Sequence, residues 1–214
     1  MDEEVTIIDS NTRNEKIKNF FINNKKNLII GFFIILVVII GYLSINEIKK
    51  QNKIKLANQF NIIKINFKVE DKQTTIDQLT KLIKKNDTTY SPLALYFLID
   101  NNLIINQNEI NSFFDELINE TSLDNEIKNL IIYKKALFNS DFANENELLQ
   151  ILNPIINSES IWKSHSLYLA AEYFYSKNQK KKSEEFFNQI LLLPNANREI
   201  KIETQKKLNR DFGE

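Results

Sequence analysis

The chain contains one histidine, His165. Around it stand the groups a nucleophilic mechanism would need: Ser164 and Ser166 beside it, and Glu172 two helical turns on. A serine becomes a useful nucleophile only when a base takes its proton and a third group orients that base. These residues fall on neighbouring turns of one predicted helix, so a Ser-His or carboxylate mechanism is formally open. A lone histidine cannot build a multi-histidine metal site, and there is no cysteine for it to activate. We therefore expect His165 to be a partly exposed helix residue, and the chain to be no enzyme and to hold no cofactor or metal. The adjacent carboxylates Asp115-Glu116 and Glu184-Glu185 do not share a helix face, and read as solvated surface rather than acid–base pairs. The basic run Lys177, Lys180, Lys181 and Lys182 reads as a solvated turn, not as a nucleic-acid or lipid patch.

The absences narrow the choice further. Zero cysteines exclude disulfides, thiolate chemistry, cysteine-ligated zinc and a lipidated cysteine. The three glycines are Gly31, Gly41 and Gly213, so residues 46–212 contain none. Phosphate-cradling loops need glycine for close backbone approach, and nucleophile elbows need it for unusual backbone angles. With 28 basic and 28 acidic residues the net charge is zero, which gives no electrostatic argument for nucleic acid as a partner.

What must position any functional surface is visible near the start. Leu28 to Ile45 reads LIIGFFIILVVIIGYLSI without one charge. Such a run is long enough for a helix to cross a bilayer, and a small domain cannot bury it on all sides. Residues 1–27 precede it and Leu43-Ser44-Ile45 is a poor cleavage site, so a retained anchor is expected over a signal peptide. Arg13, Lys16, Lys18, Lys25 and Lys26 lie before the run, and Lys49, Lys50, Lys53 and Lys55 after it. The positive-inside rule leans toward a cytoplasmic N-terminus. Lys25, Lys26 and Tyr42 are the expected membrane-interface residues. Ile17, Phe20, Phe21 and Asn24 share one stripe, which suits either a short helix on the membrane surface or an early start of the membrane helix. Met1 to Asn14 reads as disordered. The expected organisation is a partly disordered cytoplasmic tail (1–27), a transmembrane helix (28–45) and a helical domain (46–214).

From Asn46 on, apolar residues recur at helical spacing. Leu56, Phe60, Ile63 and Phe67 predict that the anchor runs on into the domain. Further helices are predicted over Thr75–Lys85, from Ser91 with Pro92 at its first position, over Asn108–Asn119, from the capping-box-like Thr121-Ser122-Leu123-Asp124 to about Asn139, and over Glu145–Leu152, stopped by Pro154. Ser160 to Lys177, Gln179 to Leu193 and Asn197 to Asn209 complete the set. The fold class is all-α. Ala136 and Ala171 are 35 residues apart, as are Leu148 and Ser183, and Leu152 and Phe187. A period near 34 with two helices per unit is that of tetratricopeptide repeats. The best copy is Leu167-x-x-Ala170-Ala171-x-x-Phe174, Ser183-x-x-x-Phe187, then Pro194. Small residues at Ala136, Ala171 and Ser183 would let helices approach, with Phe174 and Phe187 filling the space beside them. Trp162 reads as packing between repeats rather than as a binding hot spot.

The order of these parts resembles the single-pass, tetratricopeptide-like ancillary subunit of the bacterial Sec translocon. The resemblance is densest at Ile17-Lys18-Asn19-Phe20-Phe21 with Asn24, Lys25, Lys26 and the anchor, at Tyr90-Ser91-Pro92-Leu93-Ala94, and from Trp162 through Ser176-Lys177. It implies a bacterial inner-membrane protein with a cytoplasmic N-terminus and a periplasmic repeat domain. It also implies work on exported proteins beside translocon subunits, and contact with periplasmic chaperones. Most small residues of the family's repeats are larger or polar here, and no residue-level binding motif carries over. The expected function is a membrane-anchored protein-interaction module. Its binding groove would be built from the first helix of each pair, residues 91–103, 124–139 and 160–177. The alternatives are a generic membrane-tethered scaffold for envelope assembly or division, or an all-helical enzyme using His165.

Overall fold

The computed structural model describes residues 2–68 and 71–213, with side-chain surroundings from residue 12. Among them are ten helices and no strand. The chain divides into two compact units, residues 1–55 and 56–214.

In the first unit α1 (Asp2–Asn23) leads to α2 (Lys25–Asn66). The helix thus includes described residues before Asn14 that the sequence reading takes as disordered. No glycine or proline interrupts that stretch, so nothing in it opposes a helix strongly. The Asn24 N–H donates to the Phe20 carbonyl at 3.0 Å and the Leu28 N–H to the Asn24 carbonyl at 2.9 Å. Helical bonding therefore passes through Asn24, and its side-chain amide also donates to Phe20 O at 3.0 Å. Nothing else in this unit covers the apolar run: Phe32 is 63% exposed, Val37 66% and Tyr42 66%. Eighteen residues of α-helix span about 27 Å, close to the thickness of a bilayer's hydrocarbon core. The helix is long and apolar enough to cross a membrane.

The second unit holds the end of α2 and then α3 (Lys72–Ile83), α4 (Tyr90–Asp100), α5 (Gln107–Glu120), α6 (Asn125–Asn139), α7 (Glu145–Ile156), α8 (Lys163–Ser176), α9 (Lys180–Leu192) and α10 (Arg198–Asp211). Each helix from α3 onward packs on the next, and α8 also touches both α6 and α10. Buried apolar faces form three adjoining clusters. Phe60, Ile63, Leu79, Leu95, Phe114 and Ile131 belong to the first, Ala136, Leu148, Leu152 and Phe174 to the second, and Leu167, Ala171, Phe187 and Ile190 to the third.

The helix starts are regular. Lys72 to Gln107, Glu145 to Lys180, Tyr90 to Asn125 and Lys163 to Arg198 are each 35 residues. The middle steps, Gln107 to Glu145 and Asn125 to Lys163, are 38, so the three extra residues lie within α6 and the turn after it.

Four predicted boundaries differ, each for a local reason. Thr121 does not cap α6: it ends α5 and its hydroxyl donates to Asn86 Oδ1 at 3.3 Å, while α6 begins after Asp124. Ser91 is inside α4, not at its cap. Its hydroxyl donates to Leu82 O at 2.8 Å, and the Asp87 carboxylate takes the N–H groups of Thr89 and Tyr90 at 2.9 and 2.7 Å. Pro154 lies within α7, which ends only two residues later at Ile156. The missing N–H costs α7 one bond, a loss the buried Leu152 and Ile155 offset. Ser160 precedes α8, whose N-cap is Trp162, and accepts the Trp162 N–H at 3.1 Å.

With no glycine between residues 46 and 212, asparagine takes its place at helix ends. Asn102 (φ 49°) and Asn178 (φ 61°) are left-handed. After α8 the Gln179 N–H reaches Phe174 O at 2.9 Å and the Asn178 N–H reaches Tyr175 O at 3.0 Å, the two bonds of a Schellman motif. Leu103 and Asn102 close α4 identically, on Leu98 O at 2.9 Å and Ile99 O at 3.0 Å. Asparagines also start helices: Asn106, Asn144 and Asn197 each accept first-turn N–H groups, and Asn144 forms a reciprocal capping box with Glu147.

Candidate polypeptide-binding face

The groups suited to acid–base chemistry are dispersed. His165 touches neither serine by hydrogen bond; it sits against rings, with Trp162 at 5.1 Å and Tyr133 at 5.9 Å between centroids. Trp162 in turn stacks on Tyr133 of α6 at 5.9 Å and 20°. The His165 Nδ1 atom is buried with no hydrogen-bond partner. Burial holds the imidazole below the ordinary histidine pKa, the nearby Ile161 backbone opposing only in part. Ser164 Oγ accepts the Asn197 N–H at 3.2 Å, Ser166 is fully buried, and Glu172 pairs with Lys207 at 2.8 Å. The trio Tyr133, Trp162 and His165 therefore joins α6 to α8, packing Trp162 between successive helix pairs.

Several polar bonds between pairs join residues 33 to 37 apart. Glu126 accepts from the Ser160 hydroxyl at 2.8 Å and the Ile161 N–H at 3.3 Å, 34 and 35 residues on. Glu145 accepts from Gln179 at 3.3 Å and Lys182 at 2.5 Å, 34 and 37 residues on. Lys182 first, then Gln179, holds the Glu145 carboxyl below its ordinary pKa. Lys207 to Glu172 and Thr121 to Asn86 are each 35 apart, and Asn197 to Ser164 is 33. These bonds join helices that are not consecutive in the chain, such as α7 to α9 and α8 to α10.

Of the helices predicted to line the groove, α4 and α6 contribute open surface, whereas α8 lines neither of the two openings. Tyr96, Ile99 and Asp100 of α4 with Lys134, Leu137 and Phe138 of α6 enclose about 230 Å³ above Phe114. The Lys134 ammonium stands 5.9 Å from the Tyr96 ring centre. The Tyr96 hydroxyl is buried without a partner, and burial pushes its pKa up to about 12. A second opening, about 570 Å³, runs between α5, α6 and α7. Its walls combine Asn108, Asn111, Asn139 and Gln150 with Ile132 and the half-exposed Phe142. Asn111 and Asn139 exchange amide hydrogen bonds at 2.9 and 2.7 Å, and Asn139 also donates to Lys135 O at 2.7 Å. Aromatic side faces, amide edges and a lysine are groups that hold extended or helical polypeptide.

The residues expected to pack the pairs are all buried: Ala136, Ala171, Ser183 and Phe187 at 0% exposure and Phe174 at 1%. Phe174 stacks on Phe186 at 5.4 Å. Lys25, Lys26 and Tyr42 are exposed on α2. Tyr96, Tyr133 and Asn111 carry no local signal in the sequence. Tyr133 lies 29 residues before Trp162, and no local spacing links them. No protein-family model, curated protein or solved structure matches this chain.

Proposed function

We propose that the chain is a membrane-anchored polypeptide-binding module. The apolar stretch of α2 crosses the membrane, with Lys25, Lys26 and Tyr42 at its interfaces. The second unit is a tetratricopeptide-like array whose open surface takes segments of other proteins. One observation carries this reading: residues about 35 apart meet at successive helix-pair interfaces, from Asn86–Thr121 through Glu126–Ser160 to Glu172–Lys207. That is how a repeat array, in which each unit contacts its neighbours, is held together. The exposed apolar helix supports the anchor, because water would otherwise face about eighteen residues of hydrocarbon surface.

The face of α4, α6 and α8 is the proposed binding surface, with Tyr96, Lys134 and Phe138 at its centre. The Sec-accessory resemblance extends the proposal to location and partners. The N-terminus is then cytoplasmic, the array periplasmic, and the partners translocon subunits, exported chains and periplasmic chaperones.

A paired topology reporter tests it. A reporter active only outside the cytoplasm and one active only inside are each fused after Gly213. Activity of the outside reporter supports the periplasmic array, and activity of the inside reporter ends the Sec-accessory reading. Photo-crosslinking from position 134 in intact membranes then reads partners. Adducts with translocon subunits or exported chains are expected, and their absence above an untagged control removes the assignment.

A further inference from the structure

The first helix pair of the second unit is built unlike the others. From α3 to α10 every helix packs closely on the next, whereas the end of α2 meets α3 less closely, sharing with it only the floor formed by Phe60 and Ile63 with Leu79, Leu82 and Ile83. The end of α2 leans on α4 instead, through Phe60 against Tyr90 at 6.2 Å and Phe97 at 6.3 Å, and Phe67 against Phe97 at 5.5 Å. The space left between α2 and α3 is a groove of about 560 Å³. Its wall is apolar, with Ile63 and Leu82 buried below and Ile62 standing 58% exposed.

The rim is of one sign. Lys81, Lys84 and Lys85 line the groove beside Gln59 and Gln78, with no carboxylate among the lining residues. None of the three lysines forms an ion pair among the described residues. By contrast, Lys135, Lys182 and Lys207 deeper in the array all have carboxylate partners. Asp87, the nearest acid past the turn, is occupied by the Thr89 and Tyr90 N–H groups. A stacked helical array needs its terminal pair covered by a polar cap. Here α10 ends one side, with its Lys207 paired to Glu172, while the α2–α3 side shows hydrocarbon between unpaired cations.

We propose that this groove takes an acidic, amphipathic helical segment of a partner polypeptide. Its apolar side chains, spaced i, i+3 and i+4, lie on Ile62, Ile63 and Leu82, and its carboxylates meet Lys81, Lys84 and Lys85. An amphipathic helix laid in an apolar groove uses one face for burial and its flanks for charge. The single-sign rim selects acidic over basic helices by direct repulsion of the latter. This site is separate from the α4–α6–α8 face and stands or falls without it.

The test uses the full chain in nanodiscs of neutral lipid and two synthetic peptides of four to five turns. One has leucines at i, i+3, i+4 and i+7 with glutamates flanking; the other has lysines in their place. Saturable, salt-sensitive binding of the glutamate peptide alone is expected. Lys81→Glu, Lys84→Glu and Lys85→Glu together should weaken it about tenfold or more, with unchanged circular dichroism. Ile62→Glu should act likewise through the wall alone. A photo-crosslinker at position 62 should trap the peptide in the presence of anionic lipid. Equal binding of both peptides, no effect of the triple variant, or adducts at position 62 with lipid alone would overturn the proposal.

Discussion

The Ser183 hydroxyl donates to the Ala171 carbonyl at 2.8 Å, and both residues are fully buried. Two small side chains bring α8 and α9 together, and the serine adds a bond that an alanine would lack. Ser183→Ala should lower stability by about 1 kcal/mol, the net worth of one such bond. Ser183→Leu should cost more, about 1–3 kcal/mol, because the added carbons have no space. Urea unfolding of residues 56–214 measures both. If Ser183→Leu unfolds no earlier than Ser183→Ala, the close approach of α8 and α9 is wrong.

The left-handed asparagines predict an opposite pair of effects. Glycine adopts positive φ without the steric cost an L side chain incurs. Asn178→Gly should raise stability by about 0.5 kcal/mol, and Asn178→Val should lower it by about 1–2 kcal/mol. Melting curves that rank valine at or above glycine would remove the Schellman assignment after α8.

Tyr96 carries a buried hydroxyl with no partner, and its raised pKa of about 12 comes from burial. The folded state therefore favours the neutral phenol. That contribution is intact below the unfolded value near 10 and is lost as pH rises from there toward 12. Tyr96→Phe should leave stability at neutral pH unchanged or raise it by up to about 1 kcal/mol. The variant should also resist unfolding between pH 10 and 12 better than the parent. A large loss at neutral pH would show that the hydroxyl has a partner after all.

His165 should make the fold weakly acid-sensitive. Its pKa is depressed, chiefly by burial, so the unfolded chain binds the proton more readily. The contribution is present above the unfolded value near 6.5 and is lost as pH falls below it. His165→Phe keeps a ring against Trp162 and Tyr133 and removes the titration. Its melting temperature should change less between pH 8 and pH 5 than the parent's, and an equal change in both would assign the sensitivity elsewhere.

The apolar stretch of α2 should hold the chain in membranes against alkaline carbonate. Arginine at both 36 and 37, near the centre of Leu28 to Ile45, would cost about 2.5–3.5 kcal/mol each on insertion scales. The double variant should appear in the soluble fraction, and retention in the pellet would show that membrane association does not depend on this helix.

Much of the architecture is a local property of the chain and was legible in it. Charge-free length marked Leu28 to Ile45. Spacing of i, i+3, i+4 marked the helices of the second unit and the faces carrying Leu79, Phe113 and Leu152, but not α1, whose residues before Asn14 read as disordered. Ala136 and Ala171 are both buried, but the 35 residues between them do not match the 38-residue step from α6 to α8, so they stand at different positions of their helices. Helix ends were less legible, because Thr121, Ser91 and Ser160 fit cap patterns yet spend their hydroxyls on Asn86, Leu82 and Glu126. Only the tertiary structure decided those partners, along with the Tyr133–Trp162 stack, the Asn111–Asn139 pair and the splay of α2 from α3. Periodicity is set by the geometry of one helix, whereas partners thirty residues away are set by the register in which one helix meets the next. That register depends on the volumes buried between them, which no single segment of sequence carries.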